Sequence, residues 1–229
     1  METLLSNPSS ITERSPRTGI VFRKYSDSLL DSSQVLAKRI MDIFISSIFL
    51  IFVGVWLFPL IGILIKLDSK GPVFYRQLRD GQYNDKFLCL KFRTMTYDPG
   101  ANFEQARKDD PRVTKIGAFL RRTSIDELPQ LINVLIGDMS IVGPRPHAVE
   151  MNRDFGRRYG NYNFRHLVKP GITGLAQAKG FRGEIRVDYD MESRLKLDLF
   201  YIEKWSFGFD ILIIFMTIKD ILFKNENAY

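Results

Sequence analysis

The sequence predicts an α+β protein, mainly helical and membrane-associated, with a small β-hairpin and amphipathic helices lying in the membrane interface. Three observations predict it. An uncharged apolar run extends from Ile43 to Ile65. Two short alternating segments flank a polar turn, and beyond residue 110 helix start and stop signals alternate with Gly/Pro-rich loops.

The run IFISSIFLIFVGVWLFPLIGILI holds 23 residues without a charge. As a helix it would be roughly 35 Å long, enough to cross a hydrocarbon core of about 30 Å. A helix apolar on every face at this length belongs in lipid rather than in a soluble core. A secretory signal fits badly, because 42 residues precede the run and KLDSKGP follows it without a small-residue cleavage pattern. The helix is expected to begin near Leu36, with Lys38, Arg39 and Asp42 at headgroup level. Pro59 removes a backbone donor and clashes with the preceding turn, so a kink is expected there. Four basic residues lie within 20 positions of the start (Arg23, Lys24, Lys38, Arg39) and four of the end (Lys66, Lys70, Arg76, Arg79). Basic flanks of equal weight give no preferred orientation. Two topologies therefore stay open: a kinked span with the N-terminal residues outside, or a helix that enters, bends and returns to the cytoplasmic face.

Residues 1–34, rich in Ser, Thr, Pro and Arg, read as a disordered polar tail. The membrane helix occupies 35–66, a folded domain 67–223, and a short tail 224–229. Within the domain, Val73 to Leu78 and Phe87 to Phe92 read as strands joined through the polar stretch Asp80 to Lys86. Asp110-Pro111 reads as the start of a helix running to Arg122, with Asp as N-cap. A second helix begins around Ser124 to Glu127 and ends at Gly137. Two loops follow, Gly143-Pro144-Arg145-Pro146 and Pro170 to Gly174. A charged helix runs from Asp190 to Lys204, and the largely apolar stretch Asp210 to Phe223 reads either as core or as an interfacial helix.

Composition narrows the chemistry. The chain has 229 residues, with 33 Lys+Arg against 26 Asp+Glu for a net charge of +7. That excess favours anionic partners, and its placement beside the apolar run and in the motifs below points to phosphorylated molecules and anionic membrane lipid, not nucleic acid. One cysteine, Cys89, excludes an intramolecular disulfide, and two histidines, His147 and His166, leave almost no material for zinc sites or histidine-based nucleophile activation. Carboxylates, Lys and Arg must carry any chemistry, and a metal would be a hard ion such as Mg²⁺.

The stretch Arg121-Arg122-Thr123-Ser124-Ile125-Asp126-Glu127 places adjacent carboxylates in a first helical turn, one turn beyond two arginines. An ionised carboxylate in that setting can attack phosphorus or ligate Mg²⁺. Ser124-x-x-Glu127 equally matches a capping box with no chemical role. Lys91 and Arg93 alternate onto one strand face and could hold two phosphate oxygens, or form a solvated edge. Arg145 sits between prolines that stiffen its loop, which suits bidentate phosphate contact or simple exposure.

Taken in order, KR-x-x-D (Lys38, Arg39, Asp42), the Pro-broken apolar run, GPVFYRQ-x-R-x-G (Gly71 to Gly81), KFRTM (Lys91 to Met95), DPRVTKIGAFLRRTSIDELPQL (Asp110 to Leu131), GDMSIVGPRP (Gly137 to Pro146) and PGITGLAQ (Pro170 to Gln177) closely resemble the bacterial sugar transferases, the monotopic phosphoglycosyl transferases. The resemblance covers residues 36 to 223 and makes 67–223 a catalytic sugar transferase domain. It implies transfer of sugar 1-phosphate from a UDP-sugar to polyprenyl (undecaprenyl) phosphate, leaving UMP, at the cytoplasmic face of a bacterial inner membrane. Asp126 matches the nucleophile that forms a covalent phosphosugar intermediate. Glu127 matches the second member of the catalytic pair, and both would hold Mg²⁺. Lys91, Arg121 and Arg145 match phosphate-binding positions, and Asp198 resembles a further acidic site residue. The family's apolar segment is re-entrant with a Ser-Pro pair at its bend. Here the pair is Phe58-Pro59, so a carbonyl freed at the bend needs another donor. Larger members carry extra membrane helices, and this chain looks like the minimal catalytic type, with an oligomer possible. Two readings of other classes compete: a membrane-bound scaffold, and a glycosyl transferase releasing UDP.

Overall fold

The computed structural model describes residues 31–100, 107, 109–183, 185 and 187–223. The polar tail expected over 1–34 lies outside the described residues except for its last four, and the tail over 224–229 lies outside them altogether.

The N-terminal helix starts earlier than expected. Helix α1 spans Ser32–Phe49 because Asp31 caps it, its carboxylate accepting from the Ser33 amide at 3.0 Å. A π-helical turn, Leu50–Gly54, leads into α2, Val55–Asp68, so that one helical run covers Ser32–Asp68. Helical bonding continues through Pro59 instead of breaking there. Pro59 cannot donate to the Val55 carbonyl, and the irregularity falls one turn upstream, where the Val55 amide reaches back five residues to Leu50. Upstream of Pro59, the Trp56 indole nitrogen donates to the Phe52 carbonyl at 2.8 Å.

Lys38, Arg39 and Asp42 fasten α1 to the rest of the protein. Lys38 Nζ donates to the Val142 carbonyl at 2.8 Å and pairs with Asp210 at 2.6 Å. Arg39 donates to the carbonyls of Val134 and Leu135 at 2.7 and 2.8 Å, and buried Asp42 accepts from the Ile141 amide at 2.9 Å. Arg39 thereby satisfies carbonyls that a helix end leaves open. At the far end of the run, Asp68 accepts from the Ile116 amide at 3.0 Å. Between these anchors, Phe44, Ile51, Phe52, Val55 and Trp56 are exposed.

The hairpin forms as expected. Strands β1 (Phe74–Asp80) and β2 (Lys86–Phe92) pair antiparallel, from Phe74 opposite Phe92 to Asp80 opposite Lys86. Helix α3 spans Lys115–Thr123 and not Asp110 onward. Thr114 takes the cap, accepting from the Gly117 amide at 3.0 Å, because Asp110 is engaged by the amide and guanidinium of Arg112. Gly117 lets α3 lie on the extended chain after β2, since a Cβ there would sit 2.0 Å from the Thr94 carbonyl oxygen.

Helix α4 (Gln130–Ile136) ends at Gly137 in the left-handed region. Strands β3 (Ser140–Val142) and β4 (Gly171–Thr173) pair in parallel, close enough that a Cβ on Gly171 would meet the Gly143 nitrogen at 2.1 Å. Helices α5 (Val149–Arg158), α6 (Leu175–Ala178), α7 (Asp188–Glu203) and α8 (Phe207–Phe223) complete the described fold. One core gathers Cys89, Val134, Met139, Val142, Tyr162, Met191, Ile202 and Ile213. A smaller one joins Ile61 and Ile65 of α2 to Phe92 and Leu120. The two halves of the N-terminal run thus dock on two cores of the same body.

Candidate active site

The acidic pair lies at a strained corner. Ser124 ends α3 in the left-handed conformation (φ 59°), and Ile125–Glu127 form a 3₁₀ turn rather than the first turn of α4. The Ser124 hydroxyl caps nothing, so the capping-box reading fails, and with it the helix-dipole argument for ionising Asp126. Both carboxylates are buried, Asp126 at 9 % and Glu127 at 6 % exposure.

Glu127 is the hub of a cationic cradle. Arg145 grips it in bidentate fashion, at 2.5 Å to Oε1 and 3.1 Å to Oε2. Lys91, from the end of β2, meets Oε1 at 2.8 Å, and Arg182, from the turn after α6, lies 3.5 Å from Oε2. Burial alone would raise the Glu127 pKa, but Arg145 and Lys91 outweigh it and hold the carboxyl well below the usual range. Asp126 behaves oppositely. Burial and the adjacent Glu127 charge push it up to about 6, against the pull of Lys91, Arg121 and Arg145. Two neighbouring carboxylates therefore differ in kind: Glu127 is a fixed anion committed to its cations, whereas Asp126 changes charge near neutrality.

Asp126 opens into a cavity of about 650 Å³ walled by Arg79, Lys91, Arg121, Arg145, Arg182 and Arg194. Arg121, in the last turn of α3, donates from Nε to the Thr94 hydroxyl at 2.9 Å. The field in this cavity suits a substrate with several negative oxygens, and Asp126 lines it together with Asp98 and Glu150.

The expected residues Asp126, Glu127, Lys91, Arg121 and Arg145 thus converge. Arg93 does not serve as Lys91's partner: beyond the end of β2 it turns inward and donates to Pro72 and Ser69, tying α2 to the hairpin. Asp198 does not line the cavity. It lies behind the site, paired with Arg165 at 2.7 Å, both nearly inaccessible. Arg165 in turn donates to the Arg145 carbonyl at 2.9 Å, and Arg79 donates to that of Pro146. The Pro144-Arg145-Pro146 loop is therefore held from two sides. His147 is not an acid or base here, because burial and nearby Arg165 hold its pKa well below the ordinary value. The reading of the sequence missed Arg165, Arg182 and Arg194. Arg79 was visible inside GPVFYRQ-x-R-x-G, but nothing in its local pattern distinguishes it from Arg76.

Mg²⁺ is ordinarily held by one or two carboxylates completed by substrate phosphates and water. Asp126 fits that pattern. Glu127 does not, since both its oxygens are taken by cations; among the described residues no group of three or more His, Cys, Asp or Glu gathers for a metal.

The chain is similar to known proteins over most of its length. A family profile described as bacterial sugar transferase matches residues 33–224. The UDP-glucose:undecaprenyl-phosphate glucose-1-phosphate transferase of Klebsiella pneumoniae is 48 % identical over 204 residues, covering 89 % of this chain and 43 % of that protein. The exopolysaccharide production protein PSS of Rhizobium leguminosarum bv. phaseoli is 44 % identical over 199 residues, 84 % of this chain and 98 % of its own length. The UDP-N-acetylgalactosamine-undecaprenyl-phosphate N-acetylgalactosaminephosphotransferase of Aeromonas hydrophila is 42 % identical over 165 residues, 70 % of this chain and 38 % of that protein. The chain spans less than half of the Klebsiella and Aeromonas relatives and nearly all of the Rhizobium one.

Proposed function

Since the chain belongs to the bacterial sugar transferase family, we propose that it moves sugar 1-phosphate from a UDP-sugar to polyprenyl (undecaprenyl) phosphate and releases UMP. It would act at the cytoplasmic face of a bacterial inner membrane, as the first membrane step in building a polysaccharide or glycoconjugate. The observation that carries this reading is the pairing of a buried Asp126 with a cation-walled cavity in which Glu127 holds Lys91, Arg145 and Arg182 in place.

Ionised Asp126 attacks the β-phosphorus of the donor. The bond from that phosphorus to the oxygen bridging to the α-phosphate breaks, UMP leaves with the electron pair, and the phosphosugar stays on the carboxylate. An oxygen of the lipid phosphate then attacks the same phosphorus and Asp126 departs as carboxylate. Neither displacement needs a proton from the protein, consistent with the lack of a usable histidine. Arg145, Lys91 and Arg121 would stabilise charge spreading onto the phosphoryl oxygens. Bound Mg²⁺ would add charge neutralisation, held by Asp126 and the donor diphosphate and not by Glu127.

The membrane helix is read as re-entrant. A straight helix of 37 residues would be roughly 55 Å long. Yet Asp42 near one end and Asp68 at the other bond to the same body, and the exposed apolar residues lie between them. A crossing would divide that body between two aqueous phases, whereas entry and return keeps it on one side.

The test is nucleotide release by the purified protein with polyprenyl phosphate and a panel of UDP-sugars that includes UDP-glucose and UDP-N-acetylgalactosamine. UMP is expected. UDP would mean glycosyl transfer, and no nucleotide with any donor would leave a scaffold.

A further inference from the structure

A second cavity of about 280 Å³, with a mostly apolar surface, also reaches Glu127. Leu131, Ile141, Ile172, Ile214 and Ile221 line it, and it reaches from Glu127 and Arg182 to α8. Arg182 lines both this groove and the cationic cavity, so it stands where the two meet. At α8 the groove opens onto an apolar surface: Ile221 is half exposed, and Leu212, Phe215 and Ile218 beside it are exposed as well.

We infer that this groove seats the phosphate-proximal isoprene units of a polyisoprenyl phosphate, with Arg182 receiving its phosphate; the inference rests on the transfer reaction proposed above. Charge sets the orientation. The acid on the α8 side of the groove is Asp220, whereas Arg182 also lines the cavity that holds Asp126, so the phosphate end turns toward Arg182 and the chain leaves past α8. Glu127 does not oppose this, because Lys91 and Arg145 already balance its charge. The volume suits the first units of the chain, and the remainder would continue into lipid along the exposed face of α8. Another apolar groove lies near Phe58, Pro59, Gly62 and Phe74, but none of the acids or cations around Asp126 lines it. A lipid seated there has no phosphate contact at the reacting centre.

Two measurements test the assignment. A short isoprenyl phosphate carrying a photoreactive group near its phosphate is crosslinked to the full chain in detergent, and the labelled peptides are mapped. Label on α8 or on the segment 172–182 is expected; label confined to residues 58–74 overturns the assignment. In steady-state kinetics, Ile214→Trp should fill the groove and raise the KM for polyprenyl phosphate by about tenfold or more, with a smaller change for the donor. Tyr189→Trp, exposed on α7 and lining neither cavity, should keep wild-type kinetics. An unchanged acceptor KM in Ile214→Trp also overturns the assignment. If wild-type protein releases no UMP, the transfer reaction itself fails, and the crosslink still reports on the groove.

Discussion

Replacing Asp126 by Asn should stabilise the protein while removing its activity, because the fold holds this carboxyl against its own ionisation. Burial and the neighbouring Glu127 raise its pKa from 3.8 to about 6. The sign follows from linkage. The folded state prefers the protonated acid, so ionising it destabilises the fold; the penalty is absent below pH 3.8, grows between 3.8 and about 6, and is complete above. A shift of about two pH units corresponds to about 3 kcal/mol at 1.36 kcal/mol per unit. Asn is neutral and nearly isosteric, so it removes the penalty without opening a cavity. Equilibrium unfolding in detergent at pH 8 should therefore show Asp126→Asn more stable than wild type by up to about 3 kcal/mol, with the gain fading toward pH 4. UMP release should vanish in the same variant. Lower stability at pH 8, or a gain that does not depend on pH, would refute the reasoning about this residue.

The same titration should appear in catalysis: kcat/KM should rise about tenfold per pH unit below about pH 6 and level off above it, as Asp126 ionises. Glu127→Gln should act in the opposite sense to Asp126→Asn, leaving Lys91 and Arg145 gathered without their anion. Urea unfolding should show a loss of about 3–5 kcal/mol, the range for breaking a buried pair. Asp198→Asn should strand buried Arg165 with a loss of similar size and also loosen the loop bearing Arg145, seen as a raised donor KM. Adding Arg165→Met should recover part of the stability and little of the donor KM.

What could be read from the chain follows physical locality. The apolar run, the hairpin and the Gly137 stop were legible because each is written in consecutive residues: lack of charge, alternation by two, and a glycine where a helix turns left-handed. Boundaries set by competition were not. Asp110 looks like an N-cap until Arg112 claims its carboxylate, and Thr114 then caps α3 instead. Ser124 looks like a cap until its left-handed backbone points the acidic pair into a 3₁₀ turn. Lys91 and Arg93 share a parity, yet the strand ends between them and sends one to Glu127 and the other to Ser69. Arg182 and Arg165 could not be found at all, since their partners lie 55 and 33 residues away in sequence. The role of KR-x-x-D was hidden for the same reason: it is fixed by Asp210, Val134 and Ile141, which only the folded chain brings to α1.

We propose that Asp126 itself carries the phosphosugar between donor and acceptor, and trapping that species is the decisive experiment. Purified protein is mixed with a UDP-sugar in the absence of polyprenyl phosphate, quenched in acid and digested for mass spectrometry. About one UMP should be released per active protein, with the mass of one phosphosugar added to the peptide containing Asp126 and cleared when polyprenyl phosphate is supplied. UMP release that waits for the lipid, with an unmodified Asp126 peptide at every time, would contradict it.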